Sequence, residues 1–410
     1  PITMKAALAE SINIPAIKTF YLSGMSDVLK LAKDMGVTLG DLNQYGLTLV
    51  LGGGEVSLLD MTSAYSVFAN EGVRNPYVSI LEIKDKNEKI LESFQPNPKT
   101  VLPKETTEKI SDILSDDVAR TPLYGAHSLL YIPGRDVAVK TGTTNDYRDA
   151  WIIGYTPDIT VGMWAGNNDN TPMEKKISGL IVSPMWNAFM NFALGTTSVS
   201  HFTKPQVEND ISLKPALRGK WQGGIQHLID KISGKLATQY TPQESLDEIL
   251  TGGVHSILYW VNKNDPRGDR PTDPNQDSQF NSWEYAVRKW VTNNKIQETN
   301  NNIVPTMTDD VHTPDSAPKI IINNPKTGNS YKITEIIPVY TQYSGKYPFK
   351  RAEYYLNNNY IGTSNQIGAF NIPISDLGDK IQNVNNTLKV VVYDSMMNKS
   401  EASVDVAITE

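Results

Sequence analysis

The sequence predicts an α+β layer, an antiparallel sheet covered by helices, followed by a stretch of mixed composition and then an all-β sandwich. Three observations lead there. Residues 137–165 contain apolar alternating runs joined by a tight turn; helical segments with capping residues lie on both sides of them; and residues 319–409 break into short alternating runs separated by turn residues.

Composition bounds the function before any motif is read. A chain of 410 residues can bury a large core. Its net charge of −7 gives no nucleic-acid footprint. With no cysteine there is neither a disulfide framework nor a thiol nucleophile. The five histidines, His127, His201, His227, His255 and His312, are scattered without a pair at ligand spacing, so no metal, no cofactor and no His-based triad is expected. No apolar run of about 18 residues is present to cross a membrane. The opening "PITMKAALAE" lies inside an expected helix and has no secretion signal, so the sequence reads as the C-terminal part of something longer.

The helices follow from their caps. Thr3 caps one through Glu10, Pro15 opens a second that stops at Gly24, and the bridge "SINIP" leaves Ser11, Ile12 and Asn13 in a connector. A third helix runs from Ser26 to Met35 and ends at Gly36. Gly52 to Gly54 form a turn into a helix capped by Ser57, with Asp60 at the capping-box position and Leu58, Met61, Tyr65 and Phe68 as its buried stripe. These glycines lack the Gly-Lys-Ser/Thr of a phosphate loop. A β-like stretch at 77–94, an amphipathic helix at 101–119 and an apolar helix at 183–195 complete the set.

The strands come next. Val137 and Val139 point to one face while Ala138, Lys140 and Gly142 point to the other, and runs at 150–155 and 159–165 form a hairpin around Thr156-Pro157-Asp158. Residues 196–315 are polar and mixed, with a Pro/Asp-rich loop between aromatic segments, and are expected to be a linker or extension of unknown fold. Residues 316–410, with runs such as "KITEIIPVY" and "LKVVVYD", are expected to form an immunoglobulin-like sandwich.

Taken alone, Lys140 reads as a lysine that blunts a sheet edge, Ser11 as a cap and Asn13 as a turn former. Together, Ser-x-Asn at 11–13 and Lys-Thr-Gly at 140–142 resemble two of the three motifs of penicillin-interacting serine acyl transferases. The blocks "ALAESINIPAIK", "GLTLVLGGGEVSLLDMTSAYSVFANEG", "KTGTTNDYRDAWIIGYTPDITVGMWAGNND" and "SPMWNAFM" look like the transpeptidase domain of class A, bifunctional penicillin-binding proteins, over residues 1 to about 195.

That resemblance implies peptidoglycan D,D-transpeptidation. A serine attacks the D-alanyl-D-alanine amide of a stem peptide, and a second stem's amine resolves the acyl-enzyme. Lys140 would supply positive potential, Ser11 would relay a proton to the leaving amine, and Asn13 would hold the substrate amide. Thr141 and Thr143 would bind the substrate carboxylate, Gly142 would let its backbone lie on the strand, and the Thr143 N–H would serve an oxyanion hole. Implied partners are stem peptides with their lipid-linked precursor, and β-lactams. The implied location is the outer face of the cytoplasmic membrane, with an anchor and a glycosyltransferase domain upstream. The tail is expected to be a spacer, or a contact for glycan or other cell-wall proteins.

One departure accompanies the resemblance. No Ser-x-x-Lys precedes Ser11, and the one match, Ser316-Ala317-Pro318-Lys319, lies after both other motifs and reads as chance. The nucleophile is therefore expected upstream, and this chain alone is expected not to acylate. Alternatives are a D,D-carboxypeptidase or β-lactamase-type hydrolase, and a non-catalytic wall-binding or adhesive module.

Overall fold

The computed structural model describes residues 1–40, 45–173, 175, 181–206, 210–298, 303–381 and 385–409. It divides into two compact units, Pro1–Asp210 with Lys263–Pro266, and Ile211–Asn262 with Arg267–Glu410.

The first unit opens with three helices, α1 (Met4–Ala9), α2 (Asn13–Ser23) and α3 (Met25–Met35). Thr3 accepts the Ala6 N–H as the N-cap of α1, and Gly36, at φ 101°, ends α3 in the left-handed conformation. Asn13 is a correction to the sequence reading. It is the first residue of α2 rather than part of a connector, and Pro15 falls inside the first turn, where its missing N–H has no intrahelical acceptor to lose.

Helix α4 (Leu58–Ala69) is capped by Ser57, which accepts the Asp60 N–H at 3.0 Å. Its most buried residues are Ala64 and Val67, with Tyr65 and Phe68 only partly covered. Ala64 and Val67 pack with Met35 of α3 and Leu102, while the expected Tyr65 and Phe68 pack on Tyr155, so the helix is covered on two flanks rather than along one stripe. Strands β1 (Val73–Arg74), β2 (Glu82–Lys84), β3 (Ile90–Ser93) and β4 (Lys99–Thr100) make two small ladders, β1 with β4 and β2 with β3. The amphipathic segment beyond them is two helices, α5 (Lys104–Ser115) and α6 (Asp117–Tyr124), separated at Asp116, whose carboxylate caps α6 through the Ala119 N–H.

Strands β5 (Ala138–Thr143), β6 (Asp149–Tyr155) and β7 (Thr160–Gly166) form an antiparallel sheet in that order. The β6–β7 turn is held by Thr156, whose hydroxyl accepts the N–H groups of Asp158 and Ile159. Helix α7 (Ser183–Leu194) covers one face, packing Trp186 and Met190 on Val139, Ile152 and Val161, and Trp186 donates its indole N–H to the Val161 carbonyl at 3.1 Å. On the opposite face Ala138 and Tyr155 pack with Leu114 of α5 and with Tyr65 and Phe68 of α4.

Two glycines let these layers close. A Cβ at Gly154 would lie 2.2 Å from the Trp186 ring, and one at Gly162 would lie 2.0 Å from Thr62 Oγ1 on α4. A Cβ at Gly142 would meet nothing nearer than Trp151 Cβ at 3.5 Å. Internal packing therefore demands glycine at two of these sheet positions and not at the third.

In the second unit, β8 (Ile225–Asp230) and β9 (Leu246–Thr251) form a hairpin, followed by α8 (Ile257–Trp260) and α9 (Phe280–Asn293). Backbone bonds from Leu236 N to Met307 O and from Asp309 N to Leu236 O tie the end of this region back to the hairpin. Much of the segment expected to be a linker thus groups with the sandwich.

Strands β10 (Lys319–Asn324), β11 (Asn329–Lys332), β12 (Ile336–Ser344), β13 (Phe349–Leu356), β14 (Asn359–Ser364), β15 (Ala369–Pro373), β16 (Asn385–Asp394) and β17 (Lys399–Thr409) build two sheets, β10-β12-β15 and β11-β17-β16-β13-β14. Ile337, Val339 and Ile372 of the first share one core with Tyr354, Leu388, Val390 and Val406 of the second. The alternation that marked these runs in the sequence is the in-and-out pleat of a two-sheet core.

The glycine contrast is measurable. Gly154→Ala and Gly162→Ala are each expected to cost about 1–3 kcal/mol through overpacking, and Gly142→Ala less than about 1 kcal/mol. Urea denaturation of the three variants orders them; equal losses at all three positions would contradict this account of the sheet.

Candidate active site

Ser11 stands where α1 ends. The N–H of Ser11 bonds to the Leu8 carbonyl and that of Ile12 to the Ala7 carbonyl, which is the pairing of a Schellman C-terminus. The residue at its turning point is usually glycine. Here it is serine at φ 58°, a conformation that costs an L-residue about 1–2 kcal/mol. Strain of this kind persists where the side chain is needed. The exposed hydroxyl of Ser11 accepts a hydrogen bond from Lys140 Nζ at 2.5 Å, joining the α1–α2 junction to β5 across 129 positions of sequence. Asn13, two residues on and exposed, begins α2 beside it.

Lys140 lies on the sheet face that carries Ala138 and Gly142, in register with Ile153 on β6 and Gly162 on β7. Besides Ser11, its ammonium donates to the Thr141 carbonyl at 2.8 Å. Among the described residues it forms no salt bridge, and burial pushes its pKa from the ordinary 10.5 down to about 8. Near pH 7 about one lysine in ten is then neutral, so this amine both holds a proton and releases one readily.

Thr141 points to the other face, where the Tyr124 hydroxyl at the end of α6 meets its Oγ1 at 2.6 Å. Gly142 and Thr143 finish β5, and Thr143 is exposed. Among the described residues β5 is the edge of its sheet, so one row of its peptide groups faces away from β6. The bare Gly142 on that strand, unneeded by internal packing, suits an extended chain lying alongside.

The loop after β5 is built tightly. Thr144 Oγ1 donates to Asp149 Oδ2 at 2.9 Å and accepts the Asp149 N–H at 2.8 Å, while Trp164 Nε1 donates to Asp149 Oδ1 at 2.9 Å. Asp146 and Tyr147 both take left-handed φ values, 60° and 57°. The sequence reading did not single out Tyr124, Thr144, Asp149 or Trp164 as parts of the site. Tyr124 lay beyond the expected end of its helix, and the Asp149–Trp164 bond exists only once β6 and β7 pair. No group of three or more potential metal ligands stands at this cleft among the described residues.

The family described as "Penicillin binding protein transpeptidase domain" matches residues 1–191. That match covers a little under half of the chain. The transpeptidase domain is similar to penicillin-binding protein 1A of Aquifex aeolicus, 35% identical over 52% of this chain and 29% of that protein. It is similar also to penicillin-binding protein 1A/1B of Bacillus subtilis, 34% identical over 43% of this chain and 21% of that protein. The chain therefore spans under a third of the length of these relatives. A solved structure of PonA1 from Mycobacterium tuberculosis in complex with penicillin V is 24% identical over 50% of this chain and 60% of that one, with a TM-score of 0.44. No described helix is long and apolar enough to cross a membrane.

The shifted Lys140 sets a sign for stability against pH. Its folded pKa, about 8, lies below the ordinary 10.5, so the penalty for burying the cation is fully present below pH 8 and is relieved as pH rises from 8 to 10.5. Less the hydrogen bonds it makes, that penalty is about 2 kcal/mol. Lys140→Met is expected to be more stable than the parent chain by that order at pH 7, with the advantage fading by pH 10.5. A stability difference that stays constant across this range in urea denaturation would refute the burial of a charged lysine.

Proposed function

We propose that the transpeptidase domain serves peptidoglycan D,D-transpeptidation, in a cell-wall synthase that also carries a glycosyltransferase domain. The observation that carries the reading is the Lys140–Ser11 pair, 2.5 Å apart, within the span matched by the family. The substrate is a stem peptide ending in D-alanyl-D-alanine, supplied on a lipid-linked precursor, and β-lactams acylate the same serine. The site of action is the outer face of the cytoplasmic membrane.

The chemistry assigned to these residues is acyl transfer. A serine oxygen attacks the penultimate D-alanine carbonyl carbon, the C–N bond breaks, and the departing D-alanine nitrogen takes a proton from the Ser11 hydroxyl. Lys140 Nζ, already donating to Ser11 Oγ, restores that proton and takes up the one the attacking serine gives up, so acylation leaves both groups as they began. The amine of a second stem then attacks the ester, forming the crosslink and returning the serine. Asn13 holds the substrate amide, Thr143 engages its carboxylate and the Thr143 N–H faces the developing oxyanion, whereas Thr141, expected to share the carboxylate, turns its Oγ1 to Tyr124 on the opposite face and holds the strand instead. The strand edge beside Gly142 receives the extended peptide.

We assign the attacking serine to sequence preceding Pro1. Ser316 is a poor candidate: it is 1% exposed, ends a short 3₁₀ turn and bonds Thr313 Oγ1 at 2.8 Å, while Lys319 begins β10. The Ser-x-x-Lys chemistry needs the lysine one helical turn beyond an accessible serine.

Covalent labelling by fluorescent penicillin on a denaturing gel tests the reading. A longer form carrying the native upstream coding sequence is expected to be labelled, and the 410-residue chain is not. In the longer form Lys140→Ala and Ser11→Gly are each expected to slow labelling by about a hundredfold or more, although glycine suits the left-handed backbone at position 11 and leaves the fold intact. Labelling of the isolated chain would remove the upstream nucleophile, and an unlabelled longer form would remove the transpeptidase reading.

A further inference from the structure

Asp230, Asp309 and His312 meet in the interior of the second unit, 0%, 5% and 0% exposed. Asp230 ends β8. Asp309 is fixed by its backbone bond to Leu236, and His312 follows three residues later. Each residue offers one ligand atom within 4.8 Å of the other two.

The hydrogen bonds assign the ring. His312 Nε2 lies 2.8 Å from the Met396 carbonyl, which only accepts, so Nε2 carries a proton. The other nitrogen, Nδ1, faces the two carboxylates, 2.5 Å from Asp309 Oδ2 and 3.7 Å from Asp230 Oδ2. A histidine whose distal N–H is held by a backbone carbonyl, with the second nitrogen turned toward carboxylates, has the outer-shell arrangement of a metal ligand. The carboxylates are themselves oriented. Asp309 Oδ1 accepts the Val311 and His312 N–H groups, Asp309 Oδ2 accepts the Thr241 hydroxyl at 2.7 Å, and Asp230 Oδ2 accepts the Ser233 N–H at 2.6 Å.

One atom stays unsatisfied. Asp230 Oδ1 is buried and has no hydrogen-bond partner. Without a cation the cluster holds two buried carboxylates against at most one imidazolium, leaving a net negative charge and an oxygen with no donor, and both features are costly in a protein interior. A divalent ion bound to a neutral imidazole and two carboxylates brings the cluster to zero charge and occupies the orphaned oxygen.

We propose that Asp230, Asp309 and His312 form a buried, structural site for a divalent cation of the zinc class, with Nδ1 and one oxygen of each carboxylate as its three protein ligands. The donor set of one imidazole and two carboxylates suits zinc better than calcium, which takes oxygen ligands in larger number. The scattered histidines gave no hint of it, because the second carboxylate comes from a strand far upstream of the Asp309–His312 pair.

The test uses the 410-residue chain, stripped with chelator and returned to chelator-free buffer, then titrated separately with Zn²⁺, Mn²⁺ and Ca²⁺ by calorimetry, with a thermal melt at each endpoint. The expected result is one equivalent of Zn²⁺ with a raised Tm, binding weakened at least tenfold by Asp230→Asn, and His312 ring resonances that shift in the parent chain's NMR spectrum on Zn²⁺ addition. Saturable binding that is absent, that survives Asp230→Asn in a folded variant, or that leaves the His312 ring unshifted overturns the proposal. The ring shift in the parent decides the matter if the variant does not fold.

Discussion

Taking an ammonium partly out of water is costly, and the first unit accepts that cost at half-buried Lys140. Burial leaves its pKa near 8, and a serine hydroxyl and a backbone carbonyl solvate it. Much else in the unit serves this placement. The α1 terminus closes through a left-handed serine so that Ser11 Oγ reaches the amine, and the sheet holds the lysine on an edge strand whose other face is anchored by α7. A cation solvated by neutral oxygens rather than by a carboxylate keeps its field for an incoming group, as the proposed carboxylate-binding and proton-relay roles require.

The second unit uses buried polarity differently. Asp394 at the end of β16 accepts the N–H groups of Met396 and Asn398 and the amide of Asn398, and thereby sets the turn into β17. That turn presents the Met396 carbonyl to His312. The sandwich is consequently tied by a directional bond to the 309–312 segment, which the Asp309–Leu236 backbone bond fixes beside the β8–β9 hairpin, and each bond in the relay orients the next.

The reading from sequence succeeded where local physics decides. Gly36 as a left-handed cap, Ser57 with Asp60, the hairpin around Thr156 and the pleat of the sandwich are all set by a few neighbouring residues. It failed where distant partners decide. Asn13 joined a helix, the deepest α4 positions became Ala64 and Val67 because Met35 of α3 and Leu102 cover them, and α6 carried Tyr124 to Thr141. The motif residues Ser11 and Lys140 could be named from sequence, but their 2.5 Å contact depends on a helix terminus whose conformation serine ordinarily avoids. The Asp–His cluster was illegible for a related reason, since its members share neither a periodicity nor a motif.

The contact between Gly162 and Thr62 also constrains how this sheet can change over time. With threonine at 62, any side chain at 162 begins in a clash with a hydroxyl on a well-packed helix. With alanine at 62 the hydroxyl is gone, and the nearest remaining atoms, the Cβ of residue 62 and Leu58 Cδ1, stand 3.2 Å away. The two positions are thus coupled with a direction: loss of the threonine hydroxyl opens position 162 to alanine, whereas the reverse order passes through an overpacked intermediate. Divergence at this layer proceeds helix first and strand second.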